Sequence, residues 1–268
     1  MDTQINNQEL KKKITNYLNT LIQETNVVLK SDTMKKYLEF ASKFHSYSFN
    51  NSILIYLQRP NSTRLAGFCA WKQLGRYVRR GEKGVAIFAP VIRKPIPDDE
   101  NSDPELLGFR ITHIWDILQT EGAPVPVELP WVSPEKQNVL LEKAILFAQV
   151  KGIKVTIKNL PGNIQGLCKK GEIELDVNSG VKTVFHELAH CLTHFSSGCN
   201  LTRAEKEVEA EATAFSVAKY FGVGNLQSPN YVALCGLSDE QLKIRMKNLH
   251  TTIAEIITGI EGIKKCEM

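Results

Sequence analysis

Residues 183–190 read TVFHELAH, and no stretch of the chain restricts its folding more. His186 and His190 stand four positions apart with Glu187 between them. On a helix that spacing puts both imidazoles on one face, about 6 Å apart along the axis. One ion with metal–nitrogen bonds near 2.1 Å can then be gripped by both rings. Glu187 is placed to take a proton from a water that a metal has acidified. Val184, Phe185, Leu188, Ala189 and Leu192 give the same segment an apolar frame, so the expected element is a packed amphipathic helix.

A catalytic zinc takes three protein ligands and keeps one position open, so a second element must supply the third. His194 continues the four-residue spacing, but it stands eight residues from His186, about 12 Å along an unbroken helix. One ion cannot join those two, and His194 is expected in solvent or at a pocket rim. Downstream, RAEKEVEAEATAFSVAKYFG places Glu205, Glu207, Glu209 and Glu211 in the first half of another helical segment. Val208, Ala212, Phe215 and Ala218 form its apolar stripe, and Ala204, Ala210 and Ala214 permit close helix packing. Glu207 and Glu211 share a face bordering that stripe. Glu207 is the expected ligand. Glu211 is expected to accept the other ring N–H of a ligating histidine, and the reverse assignment stays open. Tyr220, Tyr231 and His194 are candidates for stabilising a transition state.

The remainder of the chain has a different character. Residues 1–96 hold 16 Lys and Arg against 6 Asp and Glu, whereas residues 97–268 hold 17 against 23. Such asymmetry suggests two modules with different partners, the basic one suited to a polyanion. Helical periodicity over 8–45 gives way to a short helix ending near Pro60, then to β-branched and aromatic runs with glycine turns over 64–92, GFCAW among them. RKPIPDDENSDPE reads as an exposed loop, GFRITHIWDI as a returning strand, and the four prolines of TEGAPVPVELPWVSP as a linker. Beyond it come a helix to about 149, strands at GIKVTI and EIELDV, and helices over 181–195, 203–221 and 238–263. The fold class expected is α+β in two domains, 1–125 and 126–268, the second carrying the metal site. GEIELDV suits either an edge strand that receives an extended substrate or an ordinary core strand.

In the basic module, aromatic rings alternate with cations. Proteins that hold single-stranded nucleic acid use this chemistry, with cations on phosphates and rings stacked on bases. Phe49, Tyr56 and Phe68 are expected in the core. Trp71 divides between core and stacking, and it joins Lys72, Arg76, Arg79, Arg80 and Lys83 as the candidate DNA-contacting set. The six cysteines include no C-x-x-C pair, and a polar N-terminus with no long apolar run excludes a signal peptide or membrane span. A cytoplasmic protein without membrane partners, its cysteines unbridged, is therefore expected.

HELAH followed by EVEAEATAF resembles the gluzincin-type metallopeptidase domains of the ImmA/IrrE class and of ArdC-type antirestriction proteins. The resemblance implies metal ligation by His186, His190 and Glu207 with Glu187 catalytic. The interval to Glu207 is shorter than usual, which keeps Glu211 in play. YSFNN, IYLQRP, GFCAWKQLGRYVRRGEKGVAIFAP and WDILQTEG resemble the N-terminal domain of ArdC-type proteins. They imply binding of single-stranded DNA and carriage on a conjugative element. The two resemblances span roughly 8–125 and 133–222. Together they imply a zinc peptidase with an unidentified protein substrate; two histidines and a glutamate also accept Mn²⁺ or Co²⁺. The alternatives are a DNA-binding shield whose metal site is purely structural, and a regulatory peptidase that cleaves one repressor.

Overall fold

The computed structural model describes residues 6–23, 27–93, 105–125, 134–195, 201–224 and 238–263. In chain order the elements are α1 (Asn7–Gln23), α2 (Val27–Lys43), α3 (Phe49–Gln58), β1 (Leu65–Gly67), α4 (Phe68–Gln73), β2 (Arg76–Val78), β3 (Val85–Arg93), β4 (Glu105–Asp116) and β5 (Thr120–Gly122). They continue with α5 (Pro134–Val150), β6 (Lys154–Ile157), β7 (Gly166–Lys169), β8 (Glu172–Leu175), α6 (Val181–Thr193), α7 (Arg203–Tyr220) and α8 (Asp239–Gly262). None of these helices is long and apolar enough to cross a membrane.

The chain divides into two compact units, Met1–Tyr17 with Asn50–Val127, and Leu18–Phe49 with Glu128–Met268. The expected division has a single boundary after residue 125, close to the one after Val127. Residues 18–49 group with the C-terminal unit because α2 buries Met34, Tyr37, Leu38 and Ala41, and packs on α7 and α8. The proline-rich linker lies largely outside the described residues.

In the first unit β3 and β4 form a long antiparallel hairpin, from Val85↔Ile114 to Arg93↔Glu105, with a register shift between Val91 and Ile92. The sheet order β1-β4-β3 leaves β3 at an edge. Helix α3 closes that edge with two side-chain amides. Asn51 donates to the Phe88 carbonyl at 2.8 Å and accepts from the Phe88 N–H at 2.9 Å. Gln58 does the same for Ala86, at 2.9 and 3.0 Å. Seven residues on a helix match two on a strand, so both amides meet the same edge. Asp116, fully buried, accepts from the backbone of Thr63, Arg64 and Leu118 and fixes the corner after β4. Strands β2 and β5 form a separate ladder. There Gly122, at φ +124°, passes so close to Gly75 that a Cβ would lie 2.3 Å from its carbonyl oxygen. GFCAW is helical in α4 rather than extended: its Trp71 is buried and donates its indole N–H to the Trp115 carbonyl at 2.8 Å.

In the second unit β6 runs parallel and β7 antiparallel to β8, so β8 is central. GEIELDV is thus the core strand of this sheet, and β7 is its edge. Helix α6 packs on β7 and β8 and against α5, α7 and α8. Its buried Val181, Val184, Phe185, Leu188 and Ala189 follow helical spacing. Helix α7 opens with a capping box between Thr202 and Glu205, and its buried Ala210, Ala212, Ala214 and Ala218 let neighbouring helices approach.

Candidate metal centre

Three potential ligands converge where α6 faces the first turns of α7. His186 Nε2 and His190 Nε2 are 3.0 Å apart, and Glu207 Oε2 lies 3.4 and 3.6 Å from them. Two ligands at about 2.1 Å from one tetrahedral ion sit roughly 3.4 Å from each other, so the spacing fits a small divalent cation. The chemistry of the donors agrees. Unprotonated ring nitrogens this close turn two lone pairs on one another, which a cation between them relieves. His186, His190 and Glu207 are also the one such trio of His, Cys, Asp and Glu groups among the described residues.

Each imidazole has a partner on its far nitrogen. His186 Nδ1 faces Glu211 Oε2 at 3.4 Å, and Glu211 is held by an ion pair with Lys182. Burial pulls the His186 imidazole down, but Glu211, Glu187 and Glu207 outweigh it and leave its pKa above the usual 6.5. Burial also lowers His190, reinforced by His186, to about 4, so His190 is a neutral imidazole at pH 7. Burial raises the Glu211 carboxyl, yet bonds to His186 and Lys182 bring it below its ordinary value.

Glu187 sits beside the trio and is itself buried. Burial pushes its carboxyl up, opposed by His186 and by a hydrogen bond from the Cys168 backbone N–H. That bond sets Glu187 against the edge of β7. The approach is tight: a Cβ on Gly166 would lie 2.6 Å from Glu187 Oε1 and 2.8 Å from Thr183 Cγ2. A cleft of about 600 Å³ opens here, lined by Gly166, Leu167 and Cys168 of β7 together with His186, Glu187 and Glu207.

Several expectations change at this point. His194 is not solvated; it lines the cleft but is buried, with Nδ1 at 2.9 Å from His190 Nδ1 and Nε2 at 3.1 Å from Glu209 Oε2. The hydroxyl of Tyr220 is taken by Glu261, and Tyr231 lies outside the described residues. Cys168 and Cys191 form a disulfide that ties β7 to α6, against the expectation of unbridged cysteines. Their pairing follows from β7 lying along α6, which no spacing in the sequence reveals. Cys69 is free and exposed, while Cys199, Cys235 and Cys266 lie outside the described residues.

The first unit redistributes the candidate DNA-contacting set. Trp71 is 0% exposed and offers no ring face to a base. Arg76 is spent on Thr120, Gly122 and Ala123, and Arg79 on Glu82 and the Leu118 carbonyl. Lys72, Arg80 and Lys83 are exposed. Phe49 is buried and Tyr56 half-buried, but Phe68, expected in the core, is 53% exposed, and Tyr77 is 56% exposed. Alternation of rings and cations was visible in the sequence; which ring turns outward depends on α4 being a helix.

Fold and site together define an α+β protein with a two-histidine, one-carboxylate cluster beside a buried glutamate. Residues 6–111 match the family described as the N-terminal domain of anti-restriction factor ArdC. An uncharacterized protein of Bacillus anthracis is 24% identical over 86% of this chain and 48% of its own length, so the chain spans about half of that curated relative. Two crystal structures of the antirestriction protein ArdC from plasmid R388 are also similar. The metal-free form is 16% identical, covering 80% of this chain and 83% of that one, with a TM-score of 0.44. The Mn(II)-bound form is 14% identical, covering 81% and 86%, with a TM-score of 0.43.

Proposed function

We propose that this chain is an ArdC-like antirestriction protein of a mobile element, acting in the cytoplasm. In this reading it binds single-stranded DNA through its first unit and carries a zinc-dependent peptidase site in its second. The observation that carries the enzymatic part is the convergence of His186, His190 and Glu207 next to a buried Glu187 on the edge of β7. A bound divalent metal, zinc or with the same donors Mn²⁺ or Co²⁺, supplies Lewis-acid polarisation and acidifies water. Glu187 accepts the proton of the attacking water. Its raised pKa suits it to hand that proton on to the leaving amine. Among the described residues strand β7 pairs with β8 on one side only, and an extended substrate backbone can add to its other edge, beside the ligands. Glu211 holds the His186 ring, which explains two carboxylates one helical turn apart.

The DNA part rests on the family of residues 6–111 and on exposed chemistry: Phe68 and Tyr77 as stacking platforms, Lys72, Arg80 and Lys83 as phosphate contacts. A burial-raised carboxyl next to the ligands has no use in a purely structural metal site, which favours the peptidase over the shield.

Entry of unmodified DNA into a restricting host tests this. Glu187→Gln is expected to keep its metal and lose protection, and His186→Ala to lose both. Full protection by Glu187→Gln leaves the shield reading standing instead. Loss of a single host repressor with no effect on DNA entry identifies a regulatory peptidase.

A further inference from the structure

We propose that His194, Glu209 and Arg245 form a positioning chain for the metal ligand His190, making the C-terminal helix α8 part of the metal centre. The proposal rests on the metal-centre reading above and extends it to residues of α7 and α8 outside the ligand set.

The geometry runs in one direction. Arg245, on α8, places Nη1 2.7 Å from Glu209 Oε1 and Nη2 3.4 Å from Glu205 Oε1. A guanidinium only donates and stays charged, so Glu209 is held as an acceptor. Its second oxygen, Oε2, lies 3.1 Å from His194 Nε2 and therefore accepts a proton-bearing nitrogen. A neutral His194 with its hydrogen on Nε2 has a lone pair on Nδ1. That lone pair is 2.9 Å from His190 Nδ1, which must then carry the hydrogen. His190 is left with its lone pair on Nε2, the atom that meets His186 Nε2 and Glu207. Each proton has one place in this chain, and the last assignment is the tautomer a ligand needs.

Burial gives the chain its leverage. His194 is 5% and Glu209 6% exposed, so little water competes for these bonds. A merely structural ion pair between α7 and α8 accounts for Arg245 and Glu209. It does not account for two imidazole nitrogens in hydrogen-bond contact along the ligand-bearing helix. Partners that fix a ligating histidine typically contribute 10- to 100-fold in metal affinity.

The test uses the full chain, stripped of metal, with zinc affinity read by competition against a chromophoric chelator and site geometry read from the Co²⁺ visible spectrum. His194→Phe keeps a ring but no nitrogen; it should lower zinc affinity by about 10- to 100-fold and alter the Co²⁺ bands. His194→Gln, with one acceptor and one donor, should recover part of both. A folded His194→Phe protein with wild-type affinity and spectrum overturns the proposal. Should His194→Phe not fold, the double variant Glu209→Leu with Arg245→Met removes the acceptor for His194 and both charges together, leaving neither charge buried alone. Unchanged affinity and spectrum in that variant overturn it equally. Wild-type protein that takes up neither metal overturns the metal-centre reading and the chain with it, whereas unchanged variants beside a metal-binding wild type remove the chain alone.

Discussion

Gly166 shows how a position with no side chain sets the geometry of a neighbouring carboxylate. Glu187 is pressed against β7 so closely that any Cβ at 166 meets its carboxylate and Thr183. The end of a glutamate side chain can move aside, so Gly166→Ala is expected to fold, but with Glu187 displaced. Displacement by about 1 Å can cost on the order of 100-fold in rate. Gly166→Ala should therefore retain wild-type metal content and lose most protection of incoming DNA; undiminished protection would remove Glu187 from the mechanism. The convergence of His186, His190 and Glu207 was legible because four-residue spacing is a local property and the carboxylate needed only the next helix. His194 was not legible. Its buried partner Glu209 is held by Arg245, fifty-one residues after His194, and no local pattern carries that arrangement. Trp71 stayed divided between core and stacking for the same reason: an indole among cations looks like a stacking platform until the Trp115 carbonyl claims its N–H.

Elements were legible wherever periodicity and end signals agreed, as in α5, α6, α7 and α8. They were misread where a short apolar run has no period, as in α4, and left open where strand order decides a role, as with β8. Strand β3 was legible as a strand, but its protection by α3 was not, because an amide on a helix gives no sign of the backbone it serves. Asn51→Leu removes both bonds to Phe88 and leaves a donor and an acceptor without partners at a part-buried edge. Each such group costs about 1–3 kcal/mol, so a urea midpoint shift equivalent to roughly 2–6 kcal/mol is expected. A change below about 0.5 kcal/mol, the ordinary range for a neutral surface site, would show that α3 does not guard this edge. Helix α8 offers a second test. His250 is buried, and its Nε2 meets the Tyr47 carbonyl at 2.9 Å. Burial holds its pKa below the ordinary 6.5, opposed by Tyr47 and reinforced by His45. A histidine with a depressed folded pKa takes its proton more readily in the unfolded chain. Its contribution is therefore intact above 6.5 and lost as pH falls from there to the lowered folded value, at up to about 1.4 kcal/mol per pH unit. In chelator, His250→Gln, which keeps a donor for Tyr47, should show a flatter decline of melting temperature below pH 6.5 than the wild type. Parallel curves would exclude His250 as a source of acid instability.

For the whole molecule, the charge asymmetry was the most informative signal, because it divides the chain between a basic region and an acidic one before any element is assigned. What it could not show is that residues 18–49, with four lysines against three acidic groups, group with the C-terminal unit. A basic excess does not by itself locate a DNA surface, and affinity must be traced to particular side chains. Arg76 and Arg79 already serve backbone carbonyls and Glu82, which leaves Lys72, Arg80 and Lys83 to meet phosphates. Three phosphate contacts on a single strand give a slope of log affinity against log salt near −2, or about a twenty-fold loss between 50 and 200 mM. Replacing all three by Gln in the full chain should bring that slope close to zero. Phe68→Ala with Tyr77→Ala should act differently, lowering affinity for an oligonucleotide by ten-fold or more while leaving the slope unchanged, because stacking releases no counterions. Both results together separate phosphate contact from base contact on this unit. A slope near −2 that survives the triple substitution places the strand on other cations, and the exposed rings of Phe68 and Tyr77 would then need a different partner.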